Sequence, residues 1–394
     1  MKTMRSDVMK KVMSIFGTRP EAIKMAPVIL ELKKQKNIIS KICVTAQHRE
    51  LLDSVLHAFD LEPDYDLDIM KHGQTLEGIT QAILQGLQNI FESEKPDLIL
   101  VQGDTTTTFA AALCAYYHHI PIGHIEAGLR TYQKYSPFPE EMNRQMVGRL
   151  ADLHFAPTEI SRNNLIKENV ELEHIFVTGN TAIDALQYTT NTDYEHEYLT
   201  WAKGSRLLLL TAHRRENQGK DMVNIFKAIK KLVNQNDDIK VLYPCHPNPK
   251  IQKLAHEILD QDERIRIVPP LEVFDFHNIL RNSYLVLSDS GGIQEEAPGL
   301  GKPVLVLRNT TERPEGVRAG TLRLVGTSIE SIVGNAQCLL DDMNEYEKMS
   351  KAKNPYGDGK ASKRIVNAIQ MFLQSQGSSD MTQFVKRLQE LASS

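Results

Sequence analysis

The sequence has little of what marks membrane, secreted or nucleic-acid-binding proteins. No stretch approaches the ~20 consecutive apolar residues of a membrane helix, and the basic start is not followed by the apolar run of a signal peptide. A net charge of −4 over 394 residues gives no overall affinity for polyanions, so a bound phosphate needs a local site. These absences predict a cytoplasmic protein that binds neither membranes nor nucleic acid.

Patterns for disulfides, metals and cofactors are equally scarce. Only four cysteines occur, none in a Cys-x-x-Cys pair, so we expect reduced thiols rather than disulfides or a zinc knuckle. His118 and His119 are adjacent, but no His-Glu-x-x-His motif occurs, and we expect no metal. Neither Gly-x-Gly-x-x-Gly nor a Walker motif is present, so no dinucleotide cofactor is indicated.

What the sequence does have is short β-branched runs that alternate with helical patterns. At ~150 residues per domain the length corresponds to two or three domains. Several runs are apolar at successive positions, which is typical of parallel strands covered on both faces. The alternation predicts an α/β protein with two doubly wound, Rossmann-like sheets. Strands are predicted at 12–16, 42–45, 98–102, 175–178, 207–211, 241–244, 265–268, 285–288 and 304–307. Helices are predicted at 20–34, 76–91, 106–117, 221–233, 292–299 and 361–373.

The boundary between the two predicted domains lies between Leu186 and Lys203, where the stretch 188–197 is polar and lacks a clear period. We expect an N-terminal Rossmann-like domain over 1–190 and a C-terminal one over 200–360. Ligands of such sheets lie beyond the carboxyl ends of the strands, so residues directly after strands are the first candidates for function. The segment from Ser375 onward is expected to form a peripheral helix or tail without chemistry.

Two segments that share Arg-Pro-Glu follow predicted strands. In the first, Gly17 permits close backbone approach, the free N–H groups at a helix start attract an anion, and Arg19 and Lys24 add positive charge. Ordinary strand–helix capping explains this pattern equally well. The second contains Arg313, where either the same helix entry or a chance tripeptide accounts for the repeat.

A stronger phosphate signal is Ser290-Gly291-Gly292 between a predicted strand and a helix. Backbone N–H groups there can cradle a diphosphate, and Glu296, one turn later, can receive the hydroxyls of a ribose. The alternative for Glu296 is a solvated acidic helix face. His213, followed by arginines, suits a leaving diphosphate, although a surface charge cluster has the same composition.

Carboxylates for acid–base chemistry lie in the first half. Asp104, Glu126 and the pair Glu140 and Glu141 each stand where a strand or turn is expected to lead into a helix. Carboxylates that converge in one site can divide the roles of acid and base when their surroundings separate their pKa values. Each of them also suits helix capping or an ion pair, and the sequence leaves both interpretations open.

Taken together, the motifs closely resemble those of the bacterial non-hydrolysing UDP-N-acetylglucosamine 2-epimerases, from about residue 9 to 373. The resemblance implies a GT-B fold, in which a nucleotide-sugar cleft lies between two Rossmann-like domains and the C-terminal helices, here about 361–394, join the first domain. The segments that carry it are Phe-Gly-Thr-Arg-Pro-Glu-Ala-Ile-Lys-Met-Ala-Pro (16–27), Thr-Ala-Gln-His-Arg (45–49), Gly-Asp-Thr-Thr-Thr-Thr (103–108), His-Ile-Glu-Ala-Gly-Leu-Arg (124–130), Pro-Glu-Glu-Met-Asn-Arg (139–144), Thr-Gly-Asn-Thr (178–181), Ala-His-Arg-Arg-Glu-Asn (212–217), Asp-Ser-Gly-Gly-Ile-Gln-Glu-Glu-Ala-Pro (289–298), Thr-Glu-Arg-Pro-Glu (311–315) and Asn-Pro-Tyr-Gly-Asp-Gly (354–359).

The resemblance also implies roles for individual residues. The catalytic positions of the family fall on Asp104, Glu126, Glu140 and His213. Its UDP-contacting positions fall on Arg19, Lys24, Ser290, Gly291, Gly292, Glu296 and Arg313, with the Phe276 region at the uracil. Positions of an activator site for a second UDP-GlcNAc, known in some members, fall on Gln47, His48, Gln74 and His246. Gly73 stands where some activator-dependent members carry arginine, so activation is open here.

The implied reaction interconverts UDP-GlcNAc and UDP-ManNAc for cell-wall or capsular polysaccharide, in a homodimer and without cofactor. Departure of UDP creates positive charge at carbon 1 and acidifies the hydrogen on carbon 2. A base then removes that hydrogen to give 2-acetamidoglucal, and UDP adds back after protonation from the other face. The rival hypotheses are a hydrolysing epimerase that releases ManNAc and UDP, a GT-B glycosyltransferase and a non-catalytic UDP-sugar sensor.

Overall fold

The computed structural model describes residues 9–46, 49–70, 73–214, 217–260, 262–311 and 313–375. The strands within these residues are β1 (Lys10–Phe16), β2 (Ile38–Val44), β3 (Tyr65–Asp66), β4 (Leu98–Gln102), β5 (Ile122–Ile125), β6 (Leu153–Ala156), β7 (Ile175–Val177), β8 (Arg206–Thr211), β9 (Ile239–Pro244), β10 (Ile265–Val268), β11 (Leu285–Ser288), β12 (Val304–Val306) and β13 (Leu322–Leu324). The helices are α1 (Arg19–Lys33), α2 (Arg49–Ala58), α3 (Leu76–Glu94), α4 (Thr106–Tyr117), α5 (Glu140–Leu150), α6 (Glu159–Lys167), α7 (Thr181–Thr189), α8 (Glu197–Ala202), α9 (Lys220–Gln235), α10 (Pro249–Leu259), α11 (Val273–Asn282), α12 (Ile293–Gly299), α13 (Pro314–Ala319), α14 (Ile329–Asp341), α15 (Met343–Ser350) and α16 (Ala361–Ser375), with a 3₁₀ turn at Leu172–His174.

The chain divides into two compact units. The first runs to Ala185 and resumes at Gly357, and the second spans Leu186–Tyr356. The first contains a parallel sheet in the order β3-β2-β1-β4-β5-β6-β7, and the second a parallel sheet in the order β10-β9-β8-β11-β12-β13. Both are doubly wound, and the strand order reverses between β1 and β4 and between β8 and β11. The prediction of an α/β fold with two such sheets is confirmed.

The continuous apolar runs of the strands are explained by cores on both faces of each sheet. In β8, Leu208 and Leu210 pack in one cluster with Phe226 of α9. The alternate residues Leu207 and Leu209 pack in another cluster that includes residues of α11. Because successive side chains of a strand point to opposite faces, a strand covered by helices on both sides is apolar at every position.

Helix α16, which follows the return of the chain to the first unit, is anchored there. It packs against α1, and Gln370 donates a hydrogen bond to Gln35 Oε1 at 2.9 Å. Its first turn is held by Asp184 of α7, whose carboxylate accepts the N–H groups of Ala361 and Ser362 at 3.1 and 2.8 Å. The tail expected after Ser375 lies outside the described residues.

Four strands, β3, β5, β6 and β13, lie outside the predicted set. In β5 and β6 a buried histidine, His124 or His154, interrupts the apolar run on which the prediction depends. Gly123 in β5 weakens the pattern further, yet the packing requires it. A Cβ there would lie 2.7 Å from Leu100 Cδ2 and 3.2 Å from Phe155 Cε2.

Two further observations concern the chain as a whole. None of the helices in the described part of the chain has the length and apolar character needed to span a membrane. The four cysteines are free thiols, of which Cys43, Cys114 and Cys245 are buried and Cys338 is half-buried.

Candidate active site

A buried glutamate, Glu21, joins the two loops at the switch point of the first sheet. One carboxylate oxygen accepts the backbone N–H groups of Gly17 and Thr18 at 3.0 and 2.8 Å, after β1. The other accepts the hydroxyls of Thr105 and Thr108 at 2.6 and 3.0 Å, after β4. The expectation that free N–H groups at this turn attract an anion is therefore wrong for Gly17 and Thr18, because Glu21 already occupies them.

Packing alone already accounts for the glycine at position 17. A Cβ there would lie 2.0 Å from Thr45 Oγ1 and 2.7 Å from Thr107 Oγ1, so side chains that follow β2 and lie in the first turn of α4 leave no room for one. The two cations predicted here lie on α1. Arg19 is its half-buried first residue, and Lys24 forms an ion pair with the Glu126 carboxylate.

Asp104 follows β4 and is held by α5. Its carboxylate lies 3.0 Å from Arg144 Nη2, and its backbone carbonyl accepts a hydrogen bond from Asn143 Nδ2 at 2.9 Å. Glu140 begins the same helix, and its carbonyl accepts from Arg144 Nε at 3.3 Å. One short helix thus supplies both the candidate acid Glu140 and the cation that faces Asp104.

The surroundings of Asp104 bring the pKa of its carboxyl group close to neutral pH. Burial raises the pKa of Asp104 to about 6, Arg144 opposes this rise, and the charges of Glu126 and Glu140 add to it, while Lys24 lowers it. The carboxylates Asp104, Glu126 and Glu140 and the cation Lys24 therefore belong to one electrostatic cluster in the first unit. A carboxyl group with a pKa near the working pH can both give and take a proton.

Glu126 stands immediately after β5 in a left-handed backbone conformation, with φ of 66°. Non-glycine residues adopt this conformation at a cost, and it occurs often at functional sites. Oε2 of Glu126 contacts Lys24 Nζ and accepts a hydrogen bond from Asn180 Nδ2 at 3.1 Å. No helix begins at Glu126, contrary to expectation. The chain continues as a loop to Pro139. Glu141, just beyond the end of this loop, accepts two of its backbone N–H groups.

The structure separates the adjacent glutamates Glu140 and Glu141, of which the family resemblance assigns only Glu140 to catalysis. Glu141 is fully buried and accepts the N–H groups of Thr131 and Tyr132 at 3.0 and 2.9 Å, and the amide of Gln145 at 2.7 Å. Burial raises the pKa of Glu141, but these hydrogen bonds outweigh burial and leave the pKa lowered. Glu141 therefore shapes the loop, whereas Glu140 is half-buried beside Asp104.

In the second unit a buried aspartate, Asp289, plays the part that Glu21 plays in the first. Its carboxylate follows β11 and accepts the N–H of His213 at 3.0 Å and that of Arg214 at 2.9 Å, both after β8. Asn217 Nδ2 donates to the same carboxylate at 3.0 Å. Asp289 thus fixes the loop that carries His213 at the switch point of the second sheet.

The ring of His213 is partly exposed and lies between two groups. Its Nδ1 is 3.5 Å from Asp289 Oδ1, and the ring stacks on His246 with centroids 5.7 Å apart. Burial lowers the pKa of His213, Asp289 opposes this effect, and Arg214 and His246 reinforce it. The ring is therefore disposed to be neutral until negative charge approaches.

Two guanidinium groups converge on Gly291. A Cβ there would lie 2.8 Å from Arg313 Nη1 and 3.4 Å from Arg214 Nη2, so a side chain would displace them. Arg313 is held by the buried Glu295, which accepts from its Nε at 2.7 Å. The segment Ser290–Gly292 was expected to offer its backbone N–H groups to a diphosphate. The Ser290 N–H is already occupied, because it donates to Ser288 Oγ at 3.0 Å. An anion placed at this segment would meet the two guanidinium groups and not the Ser290 N–H.

Glu296 lies one turn into α12 beside a buried histidine. Its Oε2 is 3.6 Å from His277 Nε2, and His277 Nδ1 bonds to Thr189 Oγ1 at 2.7 Å. Phe276 precedes His277 on α11, is half-buried and packs on the core. His277 contacts Glu296 and directly follows Phe276. The residues predicted to bind the ribose and the uracil therefore lie close together.

The residues implied for an activator site are only partly described. Gln47 and His48 lie outside the described residues. Gln74 is half-buried and donates to the carbonyl of Ile69. His246 is exposed and accepts the N–H of Asn248 at 3.1 Å on Nδ1.

Four organising residues escaped the sequence analysis as functional candidates: Glu21, Arg144, Asn180 and Asp289. Each lies within a motif quoted above, so their positions were visible. Their partners were not, because Asp289 and Asn180 act on residues 76 and 54 positions away in the chain.

Comparison with known proteins identifies the family. The sequence model of the UDP-N-acetylglucosamine 2-epimerase family matches residues 30–370. The chain belongs to this family. A relative named UDP-N-acetylglucosamine 2-epimerase, from Bacillus subtilis (strain 168), is 58% identical over 359 residues, which cover 91% of this chain and 94% of that protein.

Solved structures of the family share the fold. The S. aureus MnaA–UDP structure has a TM-score of 0.85 and 53% identity, covering 93% of this chain and 97% of that one. The crystal structure of UDP-GlcNAc 2-epimerase from Neisseria meningitidis bound to UDP-GlcNAc has a TM-score of 0.84 and 49% identity, covering 91% and 99%. Epimerases of this family have the GT-B fold, and the resemblance of the motifs to those of UDP-N-acetylglucosamine 2-epimerases is confirmed.

Proposed function

We propose that the protein interconverts UDP-GlcNAc and UDP-ManNAc by eliminating UDP to 2-acetamidoglucal and adding it back, without releasing free ManNAc. Family membership supports a UDP-GlcNAc 2-epimerase. The observation that carries the finer proposal is the poised carboxylate cluster of the first unit. Transfer of a sugar to an acceptor requires no such set of proton-exchanging groups, whereas inversion at carbon 2 does.

The second unit supplies the residues for UDP. Arg313 and Arg214 neutralise the diphosphate at Gly291 and Gly292, because guanidinium groups form strong paired hydrogen bonds with phosphate oxygens. Glu296 receives the ribose hydroxyls, and Phe276 lies at the uracil. Arg19 and Lys24 are the further UDP contacts that the family pattern implies.

His213 assists the departure of UDP in this proposal. The approach of a diphosphate favours the charged imidazolium, because a nearby anion stabilises the protonated ring. The C1–O bond breaks, its electron pair leaves with the β-phosphate, and His213 donates a hydrogen bond or proton to that oxygen. Asp289 holds the backbone of His213 in place during this step.

Asp104, Glu126 and Glu140 handle the carbon-2 proton. One carboxylate takes the proton as UDP leaves, which forms the double bond of the glucal. A second carboxyl group delivers a proton to the opposite face of carbon 2, and the UDP oxygen re-forms its bond to carbon 1. The pKa of Asp104, raised by burial to about 6, suits it to either role.

Incubation with UDP-GlcNAc in D₂O, followed by proton NMR, tests the proposal. It predicts UDP-ManNAc with deuterium at carbon 2 and recovered UDP-GlcNAc that has also gained deuterium. Free ManNAc with UDP as the product would replace the proposal by hydrolysis. Binding of UDP-GlcNAc without exchange at carbon 2 would favour a sensor or a transferase.

Matched variants connect the exchange to the site. Asp104→Asn is expected to slow exchange by ~10²–10⁴-fold, since it removes an acid–base group. Asp152→Asn serves as the control. Burial raises the pKa of Asp152 too, but this residue precedes β6 and accepts the N–H of Ile122 at 2.8 Å, away from the carboxyl ends of the strands. Equal losses in both variants would contradict the assigned role of Asp104.

The remaining implications of the family pattern are also proposals. We propose a homodimer that supplies UDP-ManNAc for cell-wall or capsular polysaccharide, which sedimentation and glycan composition of a deletion strain test. Activation by a second UDP-GlcNAc, to which the family pattern relates Gln47, His48, Gln74 and His246, stays open because Gly73 stands in place of an arginine. Sigmoidal kinetics with UDP-ManNAc alone, made hyperbolic by a trace of UDP-GlcNAc, would establish activation, whereas hyperbolic kinetics without it would contradict activation.

A further inference from the structure

We propose that Asn180 is a positioning residue for the acid–base group Glu126, which it keeps ionised and oriented by donating a hydrogen bond to Oε2. This inference rests on the proposed function, in which Glu126 exchanges the carbon-2 proton. Asn180 lies in the Thr-Gly-Asn-Thr motif, to which the reaction has given no role so far. The contact joins residues 54 positions apart and is 3.1 Å long.

The orientation of the Asn180 amide is fixed by its second hydrogen bond. Its Oδ1 accepts the N–H of Ala182 at 3.0 Å, at the start of α7. The amide oxygen is therefore occupied on the helix side, and the NH₂ group is the side that faces Glu126. Since Asn180 is only 3% exposed, water has little access to compete for either contact.

The loop that carries Asn180 is held by the returning segment of the chain. Arg364 donates to the carbonyl of Thr178 at 3.1 Å and forms a paired contact with Asp358 at 2.8 Å. A Cβ at Gly357 would lie 3.4 Å from the Cα of Gly179, so this segment packs closely on the loop. The donor is thus preorganised, and it costs little entropy to hold it against Glu126.

Several charged or titratable groups face Glu126. Lys24 of α1 contacts the same oxygen, and Asp104 after β4 and His124 of β5 both sense its charge. Lys24 is a flexible cation that the family pattern also assigns to UDP. Asn180 is a neutral donor on a fixed backbone, so its support of the carboxylate does not change with pH or with the arrival of an anion.

The first test is the pH profile of kcat/KM for two variants. In Asn180→Asp the Ala182 N–H retains its acceptor, but a carboxylate oxygen now faces Glu126. Two carboxylates at this distance share a proton, so the acidic limb that Glu126 contributes, as distinct from the limb assigned to Asp104, is expected to move up by about 1 pH unit or more. Asn180→Ser keeps an acceptor for the helix start, but its shorter side chain no longer reaches Glu126 Oε2. It is expected to lower kcat by about 10–100-fold with little change in KM.

Asn191→Asp is the matched control. Asn191 is exposed in the second unit, and its Oδ1 accepts the N–H of Asp193, two residues ahead, at 3.1 Å, in the same local geometry. That hydrogen bond stays within its own loop, and the acidic limb of Asn191→Asp is expected to stay in place. An unmoved limb in Asn180→Asp, or the same shift in the control, would overturn the positioning role.

A cycle of unfolding free energies separates the contact from catalysis. At pH 8, Asn180→Asp is expected to destabilise the protein, and Glu126→Gln is expected to rescue that variant, because the glutamine amide donates to the new carboxylate. Absence of this coupling would overturn the contact, whatever the activity. Coupling without any exchange at carbon 2 in the unmodified protein would overturn the proposed function, and with it the positioning role.

Discussion

The ion pair between Arg144 and Asp104 gives a direct prediction of the pH dependence. In Arg144→Met the cation that opposes the raised pKa of Asp104 is removed. The two groups lie 3.0 Å apart, and the side chain of Arg144 is 11% exposed and that of Asp104 28%, so solvent screens the pair only in part. Charge centres roughly 4 Å apart in an effective dielectric of about 20 interact by roughly 4 kcal/mol, or about 3 pKa units, as an upper limit.

The expected result is therefore a shift of the limb assigned to Asp104 by about 1–3 pH units, from about pH 6 to about pH 7–9. The assay is kcat/KM for epimerisation between pH 5 and 9.5. Arg144→Lys, the matched control, keeps the charge and is expected to keep the limb near pH 6 even if kcat falls. A limb that stays at pH 6 in Arg144→Met, or persists in Asp104→Asn, would refute the assignment.

Two further predictions concern stability and binding. A pKa raised from 3.8 to about 6 penalises folding once the pH exceeds both values, so Asp104→Asn is expected to raise the unfolding free energy at pH 8 by up to about 3 kcal/mol. Denaturant titrations should show this gain nearly vanish at pH 4, and an equal gain at both pH values would contradict the linkage. Arg313→Met is expected to weaken UDP binding by about 10–100-fold in calorimetry and to leave uridine binding unchanged, since hydrogen bonds to the charged diphosphate are lost. Equal loss for both ligands would show a general disruption instead.

The sequence predicted those parts of the fold that depend on local pattern. The continuous leucines of β8 and the apolar run of β4 identified buried parallel strands, and the helices after them followed from their period. The strands β5 and β6 were missed because a buried histidine in each is satisfied or tolerated only through tertiary packing. His124, for example, bonds through Nε2 to the carbonyl of Gly103 at 2.8 Å, on the neighbouring loop.

In the candidate site, too, the sequence predicted what depends on local pattern and missed what depends on tertiary contacts. Motif order located Asp104, Glu126, Glu140 and His213 next to strand ends or at a helix start, where the structure places them. The residue types alone did not distinguish Glu140 from Glu141, which only the resemblance separated, because the physical difference lies in which side chain is buried under the loop. The local pattern also predicted free N–H groups at the first turn, since only the folded chain shows that Glu21 turns back onto them.

Positional isotope exchange shows directly whether the bond between carbon 1 and the UDP oxygen breaks during the reaction. UDP-GlcNAc with oxygen-18 in the bridge between carbon 1 and the β-phosphate is incubated with the enzyme, and phosphorus NMR follows the label. Elimination and re-addition predict that oxygen-18 moves into the non-bridging β-phosphate positions of recovered UDP-GlcNAc, because the phosphate of free UDP rotates before it adds back. Formation of UDP-ManNAc with the label retained in the bridge would contradict the breaking of the C1–O bond.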